Sequence, residues 1–131
     1  MSEYLFVYGT LLRESDNEFS HFLSAHSTAV GEAFFQGKLY IIDWYPGMVA
    51  SDNPKDKVRG ELIKLDDHHE KLFHKLDLYE GVSDPPSKND EYKRQKIRVK
   101  SELGDTECWA YIYQGSKKGL NKIISGDFRD D

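Results

Sequence analysis

The sequence predicts an α+β fold built mainly from short strands, arranged as a curved, mostly antiparallel sheet with flanking short helices. Three observations carry this. β-branched and aromatic residues gather in short runs separated by Gly, Pro or Asp-Asn turns. Only two internal segments show clear helical spacing. A length of 131 residues, 38% of them hydrophobic and 13% aromatic, predicts one compact domain over 1–131 with a core of its own and argues against disorder.

The elements follow in order. In 4-YLFVYGTLL-12, five strand-favouring residues from Tyr4 to Tyr8 read as a strand with little solvent exposure on either face. The segment 14-ESDNEFSHFLSAH-26 carries Phe19, Phe22 and Leu23 at helical spacing, with Asp16 or Asn17 as cap. Strands are predicted at 28-TAVGEAFFQG-37, 38-KLYIID-43, 48-MVAS-51 and 58-VRGELIKL-65, as four strands of one curved sheet. Asp67 to Glu70 is an acidic variant of the capping box and opens a helix over 68-HHEKLFHKLDLYEG-81. Leu72, Phe73, Leu76 and Tyr79 share one stripe of that helix, and Gly81 is its natural stop. Two further strands, 94-RQKIRVK-100 and 106-TECWAYIY-113, precede a short C-terminal segment at 117–128, and the stretch at 85–90 reads as a loop within the domain.

Charge and cysteine usage narrow the function classes. A formal net charge of −5, with Lys and Arg scattered rather than striped, leaves no basic footprint for nucleic acid. Cys108 is the single cysteine, which excludes an internal disulfide. The opening Met-Ser-Glu-Tyr reads as neither a signal peptide nor a membrane span, so a cytoplasmic protein is expected. A small neutral or polar ligand is the better match to this composition.

Two places invite chemistry. Gly9 lacks a Cβ, so something can approach its backbone closely. The N–H groups of the Gly9 to Leu12 turn need partners where they leave the ladder, and such a loop can hold an anion or a developing negative charge. Glu80 lies four residues after Leu76 and eight after Leu72, which places its carboxylate near the apolar stripe. It also sits in the last turn, where burial and the negative end of the helix dipole both raise a carboxyl pKa toward that of a useful general base. The bland reading of the same residue is a glutamate fraying off a helix end into water.

The order of several motifs resembles the gamma-glutamylcyclotransferase-like family, including its AIG2-like and gamma-glutamylamine cyclotransferase branches. These motifs are 7-VYGTL-11, 45-YPGM-48, 58-VRGELIKL-65, 76-LDLYEG-81, 92-YKRQKIRV-99, 109-WAYIY-113 and 125-SGDF-128. The resemblance implies a small mixed, mostly antiparallel β-barrel with flanking helices. It implies a substrate pocket at Tyr8, Gly9, Thr10 and Leu11, and Glu80 as catalytic acid/base. Tyr92 and Tyr113 fall where the family places tyrosines beside that pocket. The implied activity is ring closure of a gamma-glutamyl amine or peptide to 5-oxoproline with release of the amine. The backbone amides of the Gly9 to Leu11 turn would bind either the substrate α-carboxylate or the developing oxyanion. The expected partner is thus a small-molecule gamma-glutamyl substrate, with no nucleic acid, no membrane, no cofactor and no metal, on a monomer or weak dimer.

Other candidates carry less. His69 and His74 are five apart, about 140° around a helix, and cannot share a metal. Glu70 and His74 share a face as a solvated pair. Cys108, in a strand among Trp109 and Tyr111 with no basic neighbour in sequence, reads as a small core residue rather than a reactive thiol. One glycine without a following Gly-Lys-Ser/Thr falls short of a phosphate-binding loop. Two classes remain open: an enzyme that cyclises gamma-glutamyl compounds, and a non-catalytic module that binds a small metabolite or a partner on the same fold. The segment 83-SDPPSKNDE-91 is the expected pocket rim, and nothing in it identifies a leaving group.

Overall fold

The protein is described from a computed structural model in which residues 3–9, 18–66 and 69–128 are defined. Thr10 and Leu11 of the expected pocket, and the cap candidates Asp16, Asn17 and Asp67, lie outside the described residues. Eight strands and two helices follow in the order β1 (Tyr4–Val7), α1 (Glu18–Ala25), β2 (Ser27–Phe35), β3 (Gly37–Ile41), β4 (Pro46–Ala50), β5 (Val58–Leu65), α2 (His69–Glu80), β6 (Tyr92–Ser101), β7 (Gly104–Tyr113) and β8 (Asn121–Lys122) among the described residues.

Five strands close a barrel in the order β1-β5-β2-β6-β7. All neighbours are antiparallel except β1 and β7, which run parallel and meet where Leu5 faces Trp109. The barrel is therefore mixed and mostly antiparallel, as the resemblance implies. A bulge between Ala29 and Gly31 shifts the register of β2 on β5 and adds the curvature that closure needs.

One expectation is corrected. The strands at 28–65 do not form a single sheet: β2 and β5 belong to the barrel, while β3 and β4 pair with β8 in a separate three-stranded sheet. The cause is chain length. Only Gln36 separates β2 from β3, and one residue cannot make the two-residue hairpin turn that would fold β3 back onto β2. The chain bends there instead and leaves the barrel. The strand expected at 48–51 also starts earlier, at Pro46, which puts Pro46 and Gly47 in register with Ile41 and Tyr40.

Strand alternation sorts the core into two clusters. Phe6 of β1 and Tyr8 just beyond its end pack in one cluster with Leu62, Ile97, Cys108, Ala110 and Ile112. Leu5 and Val7 point outward and pack under α2 with Ile63, Leu65, Leu72, Phe73 and Leu76. This explains why β1 is a continuous apolar run: it is covered on both faces. Cys108 is buried, and burial pushes its thiol up to about 12, which fits the core role. The C-terminal segment at 125–128 is anchored at the start of β5, where the Arg59 amide donates to the Gly126 carbonyl at 2.7 Å. Among the described residues no helix is long and apolar enough to cross a membrane, and no group of three or more His, Cys, Asp or Glu side chains is placed to hold a metal.

Candidate active site

The end of β1, the start of β4, the last turn of α2 and the start of β6 converge on one cavity of about 290 Å³. Its wall includes Tyr8 and Gly9 from the β1 end, Trp44, Tyr45 and Pro46 before and at β4, Tyr79 and Glu80 from α2, and Glu91, Tyr92 and Tyr111. Three of the expected site residues besides Glu80, namely Tyr8, Gly9 and Tyr92, thus meet in one place.

Glu80 is held there by the way α2 ends. Gly81 adopts φ +74°, a left-handed conformation that only glycine reaches freely. The Gly81 amide donates to the Leu78 carbonyl at 3.2 Å and the Val82 amide to the Asp77 carbonyl at 2.8 Å, the double closure of a Schellman cap. Val82 is buried in the cluster that contains Leu76, which locks the reversal. Glu80 is therefore the capping residue of a fixed helix end and not a frayed one. It faces the cavity one turn beyond buried Leu76. Burial first, and the nearby charge of Glu91 second, raise its carboxyl from 4.5 to about 8.

Tyrosine hydroxyls hold the rest of the frame. Tyr8 donates to the Tyr111 carbonyl at 2.6 Å and accepts the Met48 amide at 3.3 Å, tying β1 to β7 and β4. Tyr92 donates to the Pro46 carbonyl at 2.5 Å, and Tyr111 donates to Asp77 Oδ1 at 2.7 Å. Desolvation pushes all three phenols up, so they stay protonated and act as donors. Asp77 also receives Arg94 through Nε at 2.9 Å and Nη2 at 3.3 Å. The Arg94 guanidinium in turn lies 4.2 Å from the Phe73 ring centre and 4.8 Å from that of Trp109. One helical turn before Glu80, α2 is thus clamped to β6 and β7.

Gly9 is required by a protein neighbour. A Cβ there would lie 2.8 Å from Pro46 Cγ and 3.0 Å from Pro46 Cδ, so the proline ring occupies the space that the missing side chain leaves. Gly47 plays the same part for Tyr113, whose Cβ and Cγ would each meet an added Cβ at 2.9 Å. Tyr113 stacks edge-on against Tyr92, 5.8 Å between ring centres, and is not among the cavity-lining residues; it backs Tyr92.

Four lining residues were not singled out from the sequence: Trp44, Tyr45, Glu91 and Tyr111. Signals for them existed. Tyr45 opens the YPGM stretch, Glu91 ends the expected rim loop beside Tyr92, and Tyr111 lies two residues before Tyr113 on the same strand face.

Comparison with known proteins accords with this geometry. Residues 5–130 match the family model described as gamma-glutamyl cyclotransferase, AIG2-like. YkqA of Bacillus subtilis is 30% identical over 133 residues, which are 99% of this chain and 42% of YkqA. The YkqA crystal structure superposes with a TM-score of 0.72 at 27% identity, over 99% of this chain and 40% of that one. This chain therefore spans less than half the length of that relative. The gamma-glutamylcyclotransferase family protein YtfP of Escherichia coli K12 is 29% identical over 126 residues, 96% of each chain. The solution structure of YtfP from Escherichia coli gives a TM-score of 0.65 at 29% identity, over 98% of this chain and 99% of that one. The match over nearly the whole sequence, on a shared barrel, makes this chain a member of the AIG2-like gamma-glutamyl cyclotransferase family.

Proposed function

We propose that the protein is an enzyme that cyclises a gamma-glutamyl amine or peptide to 5-oxoproline, with Glu80 as general acid/base. The observation that carries this reading is the placement of one desolvated carboxyl, raised to about 8, on a rigid helix cap at the wall of an open-mouthed cavity.

The chemistry asks little more of the protein. The substrate's α-ammonium gives a proton to ionised Glu80, and its freed lone pair attacks the side-chain amide carbon. A C–N bond forms to close a five-membered ring. The tetrahedral intermediate then collapses, the original amide C–N bond breaks, and the departing nitrogen takes the proton that Glu80 carries. Glu80, ionised again, removes the second proton from the ring nitrogen and passes it to the released amine, which leaves as the ammonium beside neutral-ring 5-oxoproline. Atoms and charge balance without water or an enzyme nucleophile. The gain comes from folding the substrate so that amine and carbonyl meet, together with two protons relayed through one group. At neutral pH the Glu80 carboxyl of the empty cavity is largely protonated. An arriving ammonium offsets both the burial and the repulsion from Glu91, so Glu80 ionises as substrate binds. The turn that begins at Gly9 is assigned to the substrate α-carboxylate or the developing oxyanion.

The test is release of 5-oxoproline from a panel of gamma-glutamyl amino acids, gamma-glutamyl-ε-lysine and glutathione. Turnover of one or more is expected. Silence across the panel, with the protein folded, would replace the enzyme by a non-catalytic binding module on the same cavity.

A further inference from the structure

A second cavity, of about 280 Å³, lies at the opposite end of α2 from Glu80. Its wall is Phe22 of α1 with His26 just after that helix, Asp66 beyond β5, and Lys71 and Leu72 near the start of α2, so it shares no residue with the Glu80 cavity. The frame around it is tied down. The His26 amide donates to the Leu23 carbonyl and the Asp66 amide to the His26 carbonyl, both at 3.1 Å, which joins the end of α1 to the end of β5. Leu72 is buried in the cluster that holds Leu23 and Leu65, and Phe22 packs on that cluster. The Phe22 ring lies 4.7 Å from the His26 ring, centre to centre, and has the Lys75 ammonium 4.4 Å from its own centre.

The wall therefore offers three chemistries: an apolar floor of Leu72 and Phe22, a carboxylate from Asp66 and an ammonium from Lys71. Lys71 and Asp66 are both exposed, and neither has an ion-pair partner among the described residues. We propose that this second cavity binds a free α-amino acid with an apolar side chain, its ammonium on Asp66, its carboxylate on Lys71 and its side chain on the floor of Leu72 and Phe22. One uncommitted charge of each sign beside an apolar floor matches a zwitterion. A ligand with a single charge satisfies one of the two groups and brings nothing to the other. Both charged contacts face water, so each adds little and the selectivity weakens with salt. The inference does not depend on the cyclotransferase reading.

Four probes test it: L-leucine, N-acetyl-L-leucine, L-leucinamide and glycine, each titrated into the isotope-labelled full chain and followed by amide NMR shifts. Leucine should move the amides of His26, Asp66 and Leu72 and saturate them. Its Kd should be lower than that of either capped form by about threefold, and lower than that of glycine by about tenfold. Asp66→Asn should narrow the gap between leucine and N-acetyl-leucine, and Lys71→Gln the gap between leucine and leucinamide. Both side chains are exposed, so both variants should melt as the wild type does. Glu80→Gln, in the other cavity, should leave leucine binding unchanged. Equal affinity for leucine and both capped forms, or no movement of these amides, would overturn the assignment. So would leucine binding that Glu80→Gln weakens while Asp66→Asn and Lys71→Gln do not, since that result puts the amino acid in the Glu80 cavity.

Discussion

Glu80 and Glu91 present their carboxylates to one cavity, and the charge of Glu91 adds to burial in raising Glu80 to about 8. Two neighbouring carboxyls whose surroundings push their proton affinities apart are a common arrangement where a base must be held weakly acidic near neutrality. Glu91 is exposed and braced by Tyr45, whereas Glu80 sits on a capped helix end. Environment alone separates their tasks.

That pair sets the pH profile. Glu80 must be ionised to take a proton, so kcat/KM should rise as pH increases, with a limb near 8 in the free enzyme. Glu91→Gln removes the smaller of the two causes, so the limb should move to lower pH yet stay above 4.5, because desolvation remains. Initial rates of 5-oxoproline release across pH 5 to 9.5 check this. A limb that Glu91→Gln leaves in place would show that the two carboxylates are not coupled.

Gly9→Ala should destabilise the protein by about 1–3 kcal/mol, the usual cost of an extra methyl in a packed site. The φ of Gly9 is not positive, so backbone strain contributes nothing and the whole effect is contact with the Pro46 ring. Pro46→Ala should therefore relieve it, and the double variant should be less destabilised than the sum of the singles. Additive losses in denaturant melts would place the clash elsewhere.

Asp77→Ala should cost about 2 kcal/mol, since it strands the Tyr111 hydroxyl and the Arg94 guanidinium in partly buried positions. The variant should also lower kcat more than it raises KM, because the clamp lies one turn before Glu80 and fixes where that carboxyl points. Asp77→Asn keeps one acceptor and should recover part of both. Full activity in a destabilised Asp77→Ala protein would limit the clamp to stability.

Much of this site was legible because it rests on local rules. The stripe of Leu72, Phe73, Leu76 and Tyr79, the stop at Gly81 and the inward position of Glu80 all follow from helical periodicity and cap chemistry. β5 appears at the bounds expected of it, for a run of strand formers between polar turns specifies itself. Closure of the barrel was not readable from pattern, because the parallel contact of Leu5 with Trp109 joins residues 104 positions apart and leaves no periodic trace. The exit of β3 from the barrel turned on the single residue Gln36, and loop length is a geometric constraint that propensity does not carry. At Gly9 the missing Cβ leaves room for a close approach, and the neighbour that uses it is Pro46, 37 residues further along, which only the folded chain shows. Trp44 and Glu91 sit in loops, where sequence gives composition without direction.

Glu80→Gln should abolish turnover while leaving the fold and ligand binding nearly intact. The amide keeps the shape of the carboxyl and much of its hydrogen-bonding capacity, but it cannot accept the ammonium proton, so the attacking nitrogen keeps no free lone pair. Loss of a positioned base costs a factor of about 10² to 10⁴, and here the same group also protonates the departing amine. Stability gives an independent reading with a definite sign. In the folded protein the carboxyl titrates near 8, and in the unfolded chain near its ordinary 4.5, so between those values the folded state binds the extra proton. Wild-type stability from this group is then complete below about pH 4.5 and is lost as pH rises through 8. Glutamine has no such titration. The melting temperature of Glu80→Gln should match the wild type at pH 4.5 and exceed it by a margin that grows up to about pH 8 and then levels off. A solvated glutamate would give a variant with full activity and a melting difference that does not change with pH, and that pair of results would end the assignment of Glu80 as the base.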